Sequence, residues 1–195
     1  MGIMRLVATA PDDEVSDAEL IAQMADGDRD ALGLLFDRHH RALFRFLAQA
    51  SDASDAEIED LVQTTFLEAF RSAPRFRGAS SPRTWLFAIG GNLARMHRRA
   101  TRRRDRAMQR LAVQPESTSI GLDTRLADQR ALEQIEIALG RLPHDTRLAY
   151  VMCAIEGVAA DEAARALGVA RGTIWRRVHE ARQVLRAAVD PEVQR

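Results

Sequence analysis

The chain has 195 residues, 46% of them hydrophobic, which suffices for one buried core or two small ones. Its 28 basic and 28 acidic side chains cancel, every basic one is an arginine, and a single cysteine rules out a disulfide framework. No apolar run approaches the ~18–20 residues that cross a bilayer and the N-terminus lacks a signal-peptide pattern, so a cytoplasmic protein without membrane insertion is expected.

Residues 1–15 read as a flexible tail. Ser16 and Glu19 form a capping box that opens a first helix, which Gly27 ends. Asp28 caps a longer helix with Ala31, Leu34, Leu35, Leu43, Phe46 and Leu47 expected on its buried face. Ser54 and Glu57 form a second capping box. The helix after it carries Ile58, Leu61, Val62, Thr65, Phe66, Ala69 and Phe70 at i, i+3, i+4, i+7 spacing until Pro74 stops it. A loop, "PRFRGASS", leads to Ser81 as cap and Pro82 as first helical residue of a long helix. That helix is apolar at Trp85, Leu86, Ile89, Leu93 and Met96, then basic, with eight arginines and one aspartate between Arg95 and Arg110. Gly90 and Gly91 inside it each cost ~1 kcal/mol against alanine, so a bend or a close backbone approach is expected.

Residues 112–128 read as a linker, on the composition of "VQPESTSIGLD" (113–123). Beyond it come a helix through "RALEQIEIALGRL", a second from Pro143 to Glu156 ended by Gly157, a short "DEAARAL" helix, and a last helix from Arg171. No strand signal competes and no repeat is present. The fold class expected is all-α: two small helical domains, 16–111 and 129–190, joined by a flexible linker.

The last two helices have the spacing of a helix-turn-helix. Ala164 is small enough to be crossed, Gly168 supplies a left-handed turn, and Val169, Ile174 and Val178 pack the second helix. Its other face presents Arg171, Trp175, Arg176, His179 and Arg182, a set suited to phosphates and guanine edges. The arginine run supplies a sequence-independent hold on a phosphate backbone. Phe76, in the loop beside that run, is placed to stack on an unpaired base. Cys153 reads as a small core residue, and the adjacent His39 and His40 point about 100° apart on a helix. No catalytic set, metal-ligand set or cofactor motif emerges.

Four stretches together carry a family resemblance: "DAELIAQMADGDRDALGLLFDRHHRALFRF", "EIEDLVQTTFLEAF", "FRGASSPRTWLFAIGGNLARMHRR" and "ALGRLPHDTRLAYVMCAIEGVAADEAARALGVARGTIWRRVHEAR". Over about Asp17 to Ala187 the chain resembles the bacterial RNA polymerase sigma factors of the extracytoplasmic-function (ECF) group. The resemblance implies a non-enzymatic factor that binds core polymerase, through its β′ and β subunits, and promoter DNA. Asp60, Leu61, Gln63 and Phe66 would dock on the β′ coiled coil. Phe76, Arg77, Gly78, Ser80 and Ser81 would receive a flipped base of the −10 element, with Asn92 helping to read that strand. Arg95, Arg98, Arg99, Arg102 and Arg103 would hold phosphates there. Arg171, Thr173, Trp175, Arg176, Arg177, His179 and Arg182 would lie at the −35 element. An anti-sigma protein is a further partner implied by resemblance alone. Ala170 stands where a serine usually caps the recognition helix, and Met96 where an acidic residue is common. The competing reading is a helix-turn-helix regulator that acts without polymerase; the "EDLVQ" helix separates the two.

Overall fold

The computed structural model describes residues 15–109 and 127–189. The expected tail, Val15 apart, and most of the expected linker lie outside the described residues. Eight helices are found among the described residues and no strand. They are α1 (Asp17–Ala25), α2 (Arg29–Ala50), α3 (Asp55–Ser72), α4 (Pro82–Gln109), α5 (Ala127–Arg141), α6 (His144–Tyr150), α7 (Ala160–Leu167) and α8 (Arg171–Val189).

Local chemistry sets the boundaries much as the residues dictate. The Ser16 N–H donates to the Glu19 carboxylate (2.8 Å) and the Glu19 N–H to Ser16 Oγ (3.3 Å), closing the first capping box. Asp28 Oδ1 caps α2 through the Asp30 N–H at 2.8 Å. Pro74 stops α3 by way of a tight 3₁₀ turn, Ala73–Arg75. Ser81 Oγ accepts from the Thr84 N–H (3.2 Å), so α4 starts at Pro82 as expected. The span from Pro143 to Gly157 is helical, but its last turn, Val151–Ile155, is widened: the Glu156 N–H reaches back five residues to the Val151 carbonyl.

The N-terminal module, α1 to α4, buries Leu20, Ile21, Leu43, Leu47, Ile58 and Leu86 around a stacked Phe46–Phe87 pair, ring centroids 4.2 Å apart. Two expected core positions are corrected. Leu34 is 49% exposed and Met96 is 62% exposed. On α4 the buried line runs through Leu86, Gly90 and Ala94, with Phe87 and Gly91 beside it. Its later positions are too small to register as hydrophobic, so periodicity placed the stripe one position off. Cys153 is half-buried against the core, and burial raises its thiol pKa.

Gly90 and Gly91 do not interrupt α4, which runs unbroken for 28 residues. Both serve close approach. A Cβ on Gly90 would come within 3.1 Å of Leu43 and 3.2 Å of Thr65, inside the N-terminal module. A Cβ on Gly91 would meet Leu148 of α6 at 2.5 Å. The two modules therefore touch: the buried cluster is continuous from Leu20 through Leu148 and Met152 to Val178.

Between α3 and α4, Glu57 accepts hydrogen bonds from the Ser54 N–H and O–H (2.8 Å each) and lies 2.9 Å from His97 Nε2. The Ser54 backbone bond, then its hydroxyl and His97, hold the Glu57 carboxyl down at about 2 against an ordinary 4.5. A folded pKa below the unfolded one means that this stabilisation is complete above about pH 4.5 and is lost as pH falls toward 2. A carbon-detected NMR titration of Glu57 is expected to find a midpoint near 2, and Ser54→Ala to move it back toward the ordinary range.

Candidate nucleic-acid interface

The helix-turn-helix is built as its residues predict. Ala163 and Ala164 are buried and let α8 cross α7 closely. Gly168 takes φ +65°, a left-handed conformation that would strain a side chain. The Val169 N–H then bonds back to the Ala164 carbonyl at 3.0 Å, closing the turn. Ile174, Val178, Ala181 and Leu185 form the buried face of α8.

The opposite face of α8 exposes Arg171, Trp175 (53% exposed), Arg176, His179 and Arg182. Arg171 pairs with Asp161 at 3.0 Å in solvent, and His179 Nε2 lies 2.9 Å from the Gln183 amide. Arg177 stands apart from this set. It is half-buried and donates to Asp145 on α6 at 3.0 Å. Thr173 is also half-buried, near the start of the helix. No side-chain oxygen is available at Ala170 to cap α8.

In the N-terminal module, the loop after α3 rests on an aromatic floor. Phe76 is half-buried, its ring 4.9 Å from that of Trp85 and tilted by 47°. Arg77 and Gly78 are exposed, the latter at φ +66°, with Ser80 half-buried behind them. The loop thus presents backbone and small side chains outward, with an aromatic edge beneath. One helix links it to the basic segment. Asn92 Oδ1 accepts from Arg95 Nη2 at 3.0 Å. Arg95, Arg98, Arg99 and Arg102 line a cleft of about 280 Å³ closed on its far side by Pro143, His144 and Asp145. The Nε of Arg95 is buried there without a partner. Arg99, Arg102 and Arg103 are exposed. Arg95 and Arg98 face Asp145 and Asp52 at 3.8 and 3.9 Å, while the exposed Arg99, Arg102 and Arg103 continue a row of cations of the kind that attracts a polyanion.

Asp60 and Gln63 are exposed on α3, whereas Leu61 and Phe66 are buried beneath them. Gln63 stands between two clefts of the α2–α3 face, of about 410 and 450 Å³. Phe36 lines both, Phe44 one, and Leu67, 54% exposed, the other. Leu67 and Phe36 are contact candidates that sequence reasoning missed. Leu67 falls outside the apolar stripe of α3, and an exposed leucine four residues after Gln63 was the available signal. His39 and His40 have structural partners: His39 lies 2.5 Å from Asp17, and His40 stacks on Phe36 at 4.8 Å. Among the described residues no group of His, Cys, Asp and Glu is gathered for a metal, and no helix is long and apolar enough to cross a membrane.

Comparison with known proteins agrees with this geometry. Residues 35–104 match the family model of sigma-70 region 2, and residues 132–185 that of sigma-70 region 4. The chain is 34% identical to the probable RNA polymerase sigma-C factor of Mycobacterium bovis, over 96% of this chain and 98% of that one. It is 28% identical to the ECF RNA polymerase sigma-E factor of Haemophilus influenzae, over 92% and 98%. Among solved structures it is similar to CnrH in complex with the cytosolic domain of CnrY. That match has TM-score 0.63 and 30% identity, over 89% of this chain and 97% of that one. It is also similar to the sigma factor RpoE bound to the anti-sigma factor NepR of Bartonella quintana, with TM-score 0.61 and 27% identity, over 82% and 96%. With two family models covering both helical modules and relatives aligned along nearly its full length, the chain belongs to the ECF sigma factors of RNA polymerase.

Proposed function

We propose that the protein works in the cytoplasm, without catalysis of its own, as two modules, residues 16–111 and 129–190, which core polymerase holds at a fixed separation on a promoter. Each module alone binds DNA weakly. Fixing both on one large partner raises the effective concentration of each at its site. The α2–α3 face is the docking surface: Asp60 and Gln63 supply polar contacts, Phe36 and Leu67 apolar ones, and Leu61 and Phe66 hold the face in shape from beneath.

The loop from Phe76 to Ser81 receives a base flipped from the −10 element. Flipping costs a few kcal/mol, offset by stacking on Phe76, with Trp85 as its floor, and by loop backbone contacts. Asn92 follows along the strand, and Arg95 to Arg103 hold the phosphates. On α8, Arg171, Trp175, Arg176, His179 and Arg182 face the −35 element, while Thr173 and Arg177 lie at its margin. The observation that carries this reading is that loop, aromatic floor and arginine row follow one another along the single helix α4. An anti-sigma protein is a further expected partner, as it is for the related RpoE.

The decisive test is in vitro transcription with bacterial core polymerase on a promoter library with mapped start sites. Defined starts are expected with the wild-type chain, and loss of strand opening with Phe76→Ala. Asp60→Ala with Gln63→Ala, both at exposed positions, is expected to weaken holoenzyme assembly about tenfold, or ~1.4 kcal/mol, without moving the melting temperature. Normal assembly by that variant would restore the polymerase-independent regulator. Arg176→Ala is expected to reduce the salt slope of promoter binding by about one. Arg177→Ala, which removes the hydrogen bond from α8 to Asp145, is expected to lower thermal stability as well.

A further inference from the structure

Four arginines meet a buried histidine where α4 passes the start of α6. Arg95, Arg98, Arg99 and Arg102 line one side of the cleft of about 280 Å³, and Pro143, His144 and Asp145 the other. Spaced i, i+3, i+4 and i+7, the arginines share one face of α4, where like charges destabilise a helix. Asp145 is the one carboxylate among the described residues that line the cleft. It lies 3.8 Å from Arg95 Nη1 and is already engaged by Arg177 at 3.0 Å. Arg95 Nη2 donates to Asn92 Oδ1, but the Nε is buried without a partner. A buried donor left in that state costs free energy until something accepts from it. Arg98 reaches Asp52 only at 3.9 Å, and no carboxylate among the described residues pairs with Arg99 or Arg102.

The walls of the cleft are fixed by contacts outside it. Arg147 of α6, only 9% exposed, donates to the Gln49 carbonyl and pairs with Asp52. Leu148 fills the notch at Gly91, and His144 Nε2 donates to the Gly91 carbonyl at 3.0 Å. Beyond α6, Glu162 of α7 accepts from the Ser81 N–H at 2.8 Å. A site held open in this way binds with little reorganisation. Its volume falls just under the ~300–1,000 Å³ of pockets that take a whole small molecule. A cleft of that size is closed to a nucleic-acid strand and open to a short, densely charged anion. The planar fork of arginine meets phosphate oxygens two at a time.

We propose that this cleft binds a short phosphate chain, a diphosphate or triphosphate, held by Arg95, Arg98, Arg99 and Arg102 against the α6 wall. The chain is either free or the tail of a nucleotide. Arg95 Nε gains an acceptor from it, and the repulsion along α4 is relieved. The same arginines are assigned to promoter phosphates, so phosphate chain and DNA exclude each other; that consequence alone rests on the assignment.

The test uses the full-length chain without DNA, at constant ionic strength, with sodium tripolyphosphate, ATP and sulfate as probes in titration calorimetry. Tripolyphosphate is expected to bind about tenfold tighter than sulfate, or more, and to raise the melting temperature. By neutralising Arg98 and Arg95 it also raises the NMR titration midpoint of the His144 ring, which burial above all, and then those two charges, lower. Arg99→Ala with Arg102→Ala is expected to weaken binding about tenfold or more. Arg103→Ala with Arg104→Ala removes the same charge outside the cleft and changes binding less than about twofold. Asp145→Asn tightens it. Tripolyphosphate bound and ATP rejected assigns the site to a free chain; equal binding assigns it to a nucleotide tail. Equal losses from the two arginine pairs, or tripolyphosphate no tighter than sulfate, overturn the site. Failure of the DNA assignment shows separately: the Arg99→Ala, Arg102→Ala variant then loses tripolyphosphate yet keeps its promoter affinity in holoenzyme.

Discussion

Burial of one side of α4 is the constraint on which the remaining geometry depends. Leu86, Phe87 and Ala94 are sunk into the N-terminal module. At roughly 25 cal/mol per Å² of apolar surface removed from water, that burial fixes the helix as a rigid strut. Its N-terminus then carries the loop of Phe76 and Ser81, and its later turns carry the arginines. Neither set of contacts has to organise itself. A cationic helix of this composition would repel itself in isolation; the apolar turns that precede it hold it in line.

Much of this was legible from residues alone, and what was not has identifiable causes. Capping boxes at Ser16 and Ser54 and the left-handed turn at Gly168 are local, so short-range chemistry sufficed to find them. The helix-turn-helix was legible because its small, apolar and glycine positions have fixed spacing. The stripe on α4 slipped because Gly90, Gly91 and Ala94 carry burial without hydropathy. Leu34 misled in the opposite way: an apolar residue at helical spacing on the wrong side of the seam. Arg147 and Glu162 gave no signal at all, because their partners lie 98 and 81 residues away in the chain.

The zero net charge also acquires a physical meaning. The acidic residues are not a diffuse counterweight to the arginines. Asp145 meets both Arg95 and Arg177, Asp52 meets Arg98 and Arg147, and Asp161 meets Arg171. The exposed pair among these, Arg171 with Asp161, contributes little to stability, whereas those of Arg147 and Arg177 are sheltered from solvent. All of these pairs keep basic side chains extended and oriented while no polyanion is present. The half-buried Arg177 shows the limit of what the family resemblance implies, since a neighbouring helix claims a side chain expected at the −35 element.

Adjacent residues on a helix point about 100° apart and 1.5 Å along the axis. Gly90 opens toward α2 and α3 while Gly91 opens toward α6. Two notches side by side on different bearings act like the teeth of a key, indexing the same rod to both of its neighbours at once. Inserting or deleting one residue between Ser81 and Gly90 would rotate loop and notches out of phase. The length of those first turns is therefore fixed even where their outward side chains are free to vary.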